Sequence, residues 1–336
     1  MDFRQQARTW LADNKHHAPP DYGPIMPPRL RGAAVAWQRR MADAGYVFFA
    51  LPDDAKTVWL QECAAAAVPP VLNMVGLVLA ANALLAFGTP DQQELLAGTG
   101  AGEIVWCQLF SEPAAGSDLA SLSLRAVLDG DEWVLDGQKT WSSGASAADW
   151  GILLARTLDL ADAPKHKGIS FFVVDLRSPG IEVRPIRQMT GEAEFDDVFF
   201  TGVRVPAANL VGPPHGGWGV TMATLGNERA YIGSSVAALQ RRLRSANASS
   251  AVERDRLAAL HAKARALSFI DTRSGPAASL LKLGLTETTF DLAVAFGDRQ
   301  SVLAAPGARL GGGTSEVQRN IIGELVLGLP KEPRPT

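Results

Sequence analysis

Residues 122–141, LSLRAVLDGDEWVLDGQKTW, decide how the chain is read. Apolar and polar residues alternate on both sides of Asp129-Gly130-Asp131, which is the period of a half-buried strand. An Asp-Gly step between two such runs signals a hairpin, because glycine enters the left-handed region that a tight turn needs. Asp136-Gly137 reads as a further turn. WGILLART, GISFFVVDL, IEVRPIRQM and FDDVFFTGVRVP continue the texture, so residues 106–212 are expected to form an antiparallel β domain.

On either side the apolar period lengthens to three or four residues, the helical spacing. Residues 1–105 carry it in FRQQARTWLADN, RGAAVAWQRRMADAGY, AKTVWLQECAAAA and VGLVLAANALLAFG. In FGTPDQQELLAG, Gly88 is a stop, Thr89 an N-cap and Pro90 a first helical residue. Helical spacing returns over 213–336, leaving only PKEPRPT as a loose tail. The expected fold class is α+β: an N-terminal helical domain, a middle antiparallel β domain and a C-terminal helical bundle.

Composition narrows the function. A chain of 336 residues has room for more than one core, and a net charge of -3 offers no basic field to a nucleic acid. Cys63 and Cys107 stand outside any CxxC spacing, which leaves a disulfide framework or zinc site without support and fits a reducing, cytoplasmic setting. MDFRQQARTWLADN lacks the apolar core of a signal peptide. The apolar run 68–87 has about the length of a membrane span, yet Pro69, Pro70, Asn73 and Asn82 interrupt it, so a buried helix or helix pair is expected rather than membrane insertion.

Three stretches carry chemistry. In LFSEPAAGSDLASL, residues 109–122, Ser111, Ser117 and the amides around Ala115-Gly116 offer hydroxyls and N–H groups to a ligand, or form an ordinary capped turn. In DGQKTWSSGASAADW, residues 136–150, Trp141 is either a flat surface followed by two hydroxyls or a core tryptophan at a strand end. RLGGGTSEVQRN, residues 309–320, is a glycine turn before a helix; it lacks the lysine of a phosphate loop and follows no strand.

In chain order SEPAAGSDL, DGDEWVLDGQKTWSSGA, GISFFVVDL, FDDVFF with VRVP, VGPPHGGWG and GGTSEVQRNIIGELVLGLP resemble the signatures of the acyl-CoA dehydrogenase family. The resemblance covers nearly the whole chain. It implies FAD as cofactor, an acyl-CoA substrate, an electron-transfer flavoprotein as oxidant and a homo- or hetero-oligomer. Gln108, Phe110, Ser111, Ser117, Trp141 and Ser143 are implied to contact the flavin, Ser117 also lying near the thioester. Thr314 and Glu316 are implied to approach the cofactor from the C-terminal loop. A Ser143 hydroxyl over N5 and a Trp141 ring at the flavin edge suit a cofactor tuned by hydrogen bonds and shielded from water.

The family's reaction takes a proton from the carbon alpha to the thioester, and a desolvated carboxylate must reach it. Many members place that carboxylate just before the Gly-Thr of the C-terminal loop, where this chain has Gly312. A second family arrangement places it on the first C-terminal helix before an arginine, and LGNERAYIGSS puts Glu228 and Arg229 there. Glu228 is the expected base, although Glu-Arg pairs on helices are often solvated charges. Arg229 is expected near the CoA moiety, and the Gly312 and Gly313 backbone beside the substrate, the Gly312 N–H polarising the thioester carbonyl.

The chain departs from the pattern in three places. The family's Arg-x-x-Phe-Gly motif is not recognisable between Arg241 and Ser279, the later Gly-Gly turn is reduced to AFGDRQS, and Ala55 and Lys56 nearly join two helices where a glycine-rich loop is usual. These features resemble bacterial members built from paired, non-identical subunits, some acting on steroid side-chain thioesters. Two other readings stay open: a catalytically silent subunit completing a partner's FAD site, and a flavin oxidase or dehydrogenase acting on a carrier-bound acyl group.

Overall fold

The structure is a computed structural model that describes residues 2–159, 161, 164–233, 235–270 and 275–331, and backbone alone for 226–230, 232–233 and 275. Among the described residues six α-helices come first: α1 (Phe3–Asn14), α2 (Arg31–Asp43), α3 (Asp53–Ala66), α4 (Ala81–Phe87), α5 (Pro90–Gln93) and α6 (Leu95–Ala101). Eight strands follow: β1 (Trp106–Leu109), β2 (Arg125–Asp129), β3 (Glu132–Ser143), β4 (Trp150–Arg156), β5 (Ile169–Asp175), β6 (Ile181–Ile186), β7 (Phe195–Pro206) and β8 (Leu210–Val211). Among the described residues six α-helices come last: α7 (Gly217–Gly233), α8 (Val236–Ser245), α9 (Ala251–Leu267), α10 (Gly275–Phe296), α11 (Arg299–Leu310) and α12 (Ser315–Leu325). This is the α+β class expected from the sequence.

The chain packs as two units, one holding residues 1–59 and 66–227, the other 60–65 and 228–336. In the first, Trp10, Tyr46 and Trp59 form an aromatic cluster in which Tyr46 and Trp59 stack with ring centroids 4.4 Å apart. The two prolines that interrupt the apolar run anchor it: the Trp37 indole N–H donates to the Pro69 carbonyl and that of Trp59 to the Pro70 carbonyl, each at 2.9 Å. The run then becomes a buried π-helical turn, Val75–Ala80, leading into α4. Asn73 stitches this turn to β1, its amide donating to the Trp106 carbonyl and its carbonyl accepting the Gly76 N–H. Among the described residues no helix is long and apolar enough to cross a membrane. Thr89 caps α5 with a reciprocal capping box from Gln92, as the local sequence signals.

The eight strands form one sheet in the order β6-β7-β3-β2-β4-β5-β8, with β1 beside β4. Most pairs are antiparallel; β4 runs parallel to β1 and to β2. The expected hairpin is present, Asp129 pairing with Glu132 and Gly130 taking φ +66° between them. The turn expected at Asp136-Gly137 is not: β3 continues through both residues. Gly137 takes φ +145° there because a Cβ would meet Leu124 Cα at 2.9 Å, so close packing rather than chain reversal requires the glycine. The inner face buries Leu109, Leu135, Leu153, Phe172, Val174, Val198 and Val203.

In the second unit α8, α9 and α10 pack their apolar faces together through Leu239, Leu243, Leu260, Leu281 and Leu285. Helix α9 starts at a capping box formed by Ser250 and Glu253.

Candidate active site

The first site segment leaves the sheet at the end of β1. Gln108 is half-buried in that strand, and Phe110 is buried edge-on against Phe171 with centroids 5.9 Å apart. The backbone then doubles back, Glu112 and Ala115 exchanging two hydrogen bonds of 3.0 Å around Pro113-Ala114. Ser111 is half-buried, and Ser117 is exposed beyond the turn. The far end of the segment is clamped by Arg156, whose guanidinium donates to the carbonyls of Ala120 at 2.7 Å and Leu122 at 3.2 Å. Hydrogen bonds from Lys165 and Ser121 hold the Asp118 carboxyl below its ordinary range.

The second segment is the end of β3. In a regular strand an inward Lys139 would turn Trp141 inward too, since alternate residues share a face. The ladder with β7 instead steps from Lys139 opposite Val198 to Ser142 opposite Asp196, three residues against two. This bulge reverses the parity: Ser142 takes the buried place, while Trp141 is 56% exposed with its ring edge-on to Phe195. Trp141 adopts φ +54°, a conformation costing a bulky residue on the order of 1–3 kcal/mol. Trp141 is thus not the core residue that a strand-end tryptophan usually is. Ser143 is half-buried beside a small cavity lined also by Ile25, Met26, Asn73, Val75 and Gly144.

Sequence reasoning passed over Glu112 and Lys139, which brace these segments. Lys139 and Glu112 form a fully buried pair 2.8 Å apart. Burial alone would raise the Glu112 carboxyl, but the Lys139 charge and the Leu124 and Ser123 amides outweigh it and hold it below its ordinary value. Burial brings the Lys139 ammonium down to about 8. Asp196 accepts the Ser146 amide at 3.0 Å and fixes the turn after Ser143; its carboxyl is raised by burial. A signal for Lys139 existed, since the inward alternation Trp133, Leu135 lands on it after two more steps.

The third segment belongs to the second unit. Gly312 and Gly313 take φ +65° and +88° in succession, turning the chain into α12, where the Thr314 hydroxyl accepts the Val317 N–H. The Lys282 ammonium, 1% exposed, donates to the Gly313 carbonyl at 2.6 Å, and the Gln318 amide donates to the Gly312 carbonyl at 3.1 Å. Glu316 is exposed; its own backbone N–H and the Thr314 hydroxyl lower its carboxyl. Glu228 and Arg229 lie on the backbone of α7, and their side chains are outside the described residues.

Residues 107–203 match the family model described as acyl-CoA dehydrogenase, middle domain. The chain is 34% identical to the acyl-CoA dehydrogenase IpdE1 of Mycobacterium tuberculosis, covering 98% of both proteins. That alignment runs over 385 positions against a chain of 336 residues, so the relative carries segments this chain lacks. Among solved structures, the Tcur3481-Tcur3483 steroid ACAD superposes with a TM-score of 0.84 at 26% identity, covering 99% of this chain and 100% of that one. The ChsE4-ChsE5 complex from Mycobacterium tuberculosis does so with a TM-score of 0.80 at 27% identity, over 98% and 97%. The chain belongs to the acyl-CoA dehydrogenase family and is an FAD-dependent oxidoreductase acting on CH–CH groups.

Proposed function

We propose that the protein dehydrogenates the alpha and beta carbons of an acyl-CoA thioester with Glu228 as base. The observation that carries this reading is the bulge in β3, which spends backbone strain to expose Trp141 next to Ser143. Strain of this kind persists where the surrounding fold enforces it, and it marks functional sites. The groups gathered there are hydroxyls, backbone amides and an aromatic ring, a set that fits a flat, hydrogen-bonding isoalloxazine. Gln108, Phe110, Ser111, Ser117, Trp141 and Ser143 would hold that ring; for Thr314 and Glu316 the support is the family's C-terminal loop motif.

FAD, when bound, supplies the acceptor for the hydride that leaves the beta carbon. The chain's residues handle the proton and the positioning. Glu228 takes the alpha proton, and Arg229 neutralises part of the CoA moiety. The Gly312 N–H donates to the thioester carbonyl as negative charge builds on its oxygen. Glycine at 312 leaves the usual carboxylate site empty, and this absence directs the proton to Glu228.

The acyl group is taken to be bulky and polycyclic, the physiological unit a hetero-oligomer, the oxidant an electron-transfer flavoprotein and the setting cytoplasmic. Likeness to a steroid ACAD of two named components supports the first two. The segments missing relative to IpdE1 support a partner that completes the site. The test is anaerobic titration of the protein, purified with any chain that accompanies it, with a steroid side-chain acyl-CoA. Visible flavin absorbance should bleach stoichiometrically. A chain that takes up no FAD when purified alone, in an assembly whose activity survives Glu228→Gln, would instead be a silent subunit, and rapid reoxidation by air would make it an oxidase.

A further inference from the structure

Charged pairs are seldom buried for stability alone, because desolvation takes back much of what attraction gives, and an apolar pair of similar volume often serves as well. The buried Glu112–Lys139 pair therefore invites a geometric explanation. Glu112 Oε1 accepts the Lys139 ammonium and the Leu124 N–H, each at 2.8 Å, while Oε2 accepts the Ser123 N–H at 2.7 Å and the Ser123 hydroxyl at 2.8 Å. Lys139 also donates to the Phe110 carbonyl at 3.0 Å, and next to it the Thr140 N–H donates to the Ser111 carbonyl at 2.9 Å.

These contacts have a clear topology. Phe110 and Ser111 open the segment that leaves the sheet, and Ser123 and Leu124 close it just before β2. One carboxylate and one ammonium thus pin both ends of that segment. The ammonium sits on β3 at the last regular position before the bulge that exposes Trp141. Charge-assisted hydrogen bonds are shorter and more directional than neutral ones, so the pair fixes distances that an apolar contact would leave loose.

We propose that Glu112 and Lys139 are positioning residues that set the 110–124 segment against the end of β3, so that Phe110, Ser111 and Ser117 share one flavin-binding surface with Trp141 and Ser143. The proposal rests on the flavin reading above. Neither residue touches the reacting atoms; each acts through the backbone it holds.

The test replaces both residues, Glu112→Gln with Lys139→Met, so that no buried charge is left without its partner. The full protein, in the assembly in which it purifies, is stripped of FAD and titrated back while the visible circular dichroism of the flavin and the thermal midpoint are recorded. A midpoint within a few degrees of wild type, with FAD affinity weakened about tenfold or more and an altered dichroism, supports the positioning role. A purely structural role would let affinity and dichroism recover with stability, and that result overturns the proposal while leaving the flavin reading intact. Wild-type protein that takes up no FAD overturns both. If the double variant does not fold, Glu112→Asp decides: it keeps the charge and shortens the reach, and unchanged FAD affinity and dichroism in that variant overturn the proposal.

Discussion

The Lys282 ammonium donates to the Gly313 carbonyl at 2.6 Å from a position almost wholly out of solvent. A buried cation holding a backbone carbonyl makes the three-glycine turn a fixed object rather than a slack loop. With the Gln318 amide on the Gly312 and Gly313 carbonyls, it explains how three successive glycines keep one shape.

The glycines of that turn should therefore respond differently to substitution. At Gly313 φ is +88° and an added Cβ would lie 2.6 Å from Gln318 Nε2, so Gly313→Ala should lose about 1–3 kcal/mol. At Gly311 φ is -64° and the nearest atom to such a Cβ is 3.7 Å away, so Gly311→Ala should be neutral or gain up to about 1 kcal/mol. Denaturant unfolding of the two variants checks the contrast; equal losses would mean the turn is not held as described.

Trp141 offers a second contrast. Because its ring is largely exposed and its backbone strained, Trp141→Gly should change stability by no more than about 1 kcal/mol. Trp106→Ala removes a fully buried ring and should cost about 3–5 kcal/mol. If Trp141 borders the flavin, its variant should also show stronger flavin fluorescence at unchanged fold, which steady-state emission would report.

These two positions also show what the sequence could and could not disclose. The hairpin at Gly130 was legible because turn chemistry is local, and the apolar run 68–87 because its prolines forbid a continuous span. The bulge at Trp141 was not, since it exists only in the register between β3 and β7, more than fifty residues apart in the chain. Asp136-Gly137 misled for the converse reason: a glycine required by the approach of Leu124 looks locally like a turn. Glu112 and Lys139 escaped notice because each is an unremarkable charge until the sheet brings them together. The family's own motifs carried the expectations for Glu228 and Arg229, whose side chains the described residues do not include.

Glu112 makes one contribution to the pH dependence of stability. Its carboxyl is lowered in the folded state below the ordinary 4.5, so the stability it contributes is present above that value and is lost as pH falls through the folded one. Below pH 4.5 the wild type should lose stability more steeply than the Glu112→Gln, Lys139→Met double variant, which leaves no buried charge unpaired, by up to about 1.4 kcal/mol per pH unit. Chemical denaturation across that range checks the slope, and parallel curves would remove Glu112 from the account of acid unfolding.

The most direct test of the central claim is single-turnover reduction of Glu228→Gln. The variant should stay yellow and bind acyl-CoA, because glutamine keeps the shape of the side chain and loses only its ability to accept a proton. Mixed anaerobically with a substrate that bleaches the wild type, it should reduce its flavin slower by a factor of about 100 or more. Reduction at the wild-type rate would contradict the assignment and place the base elsewhere.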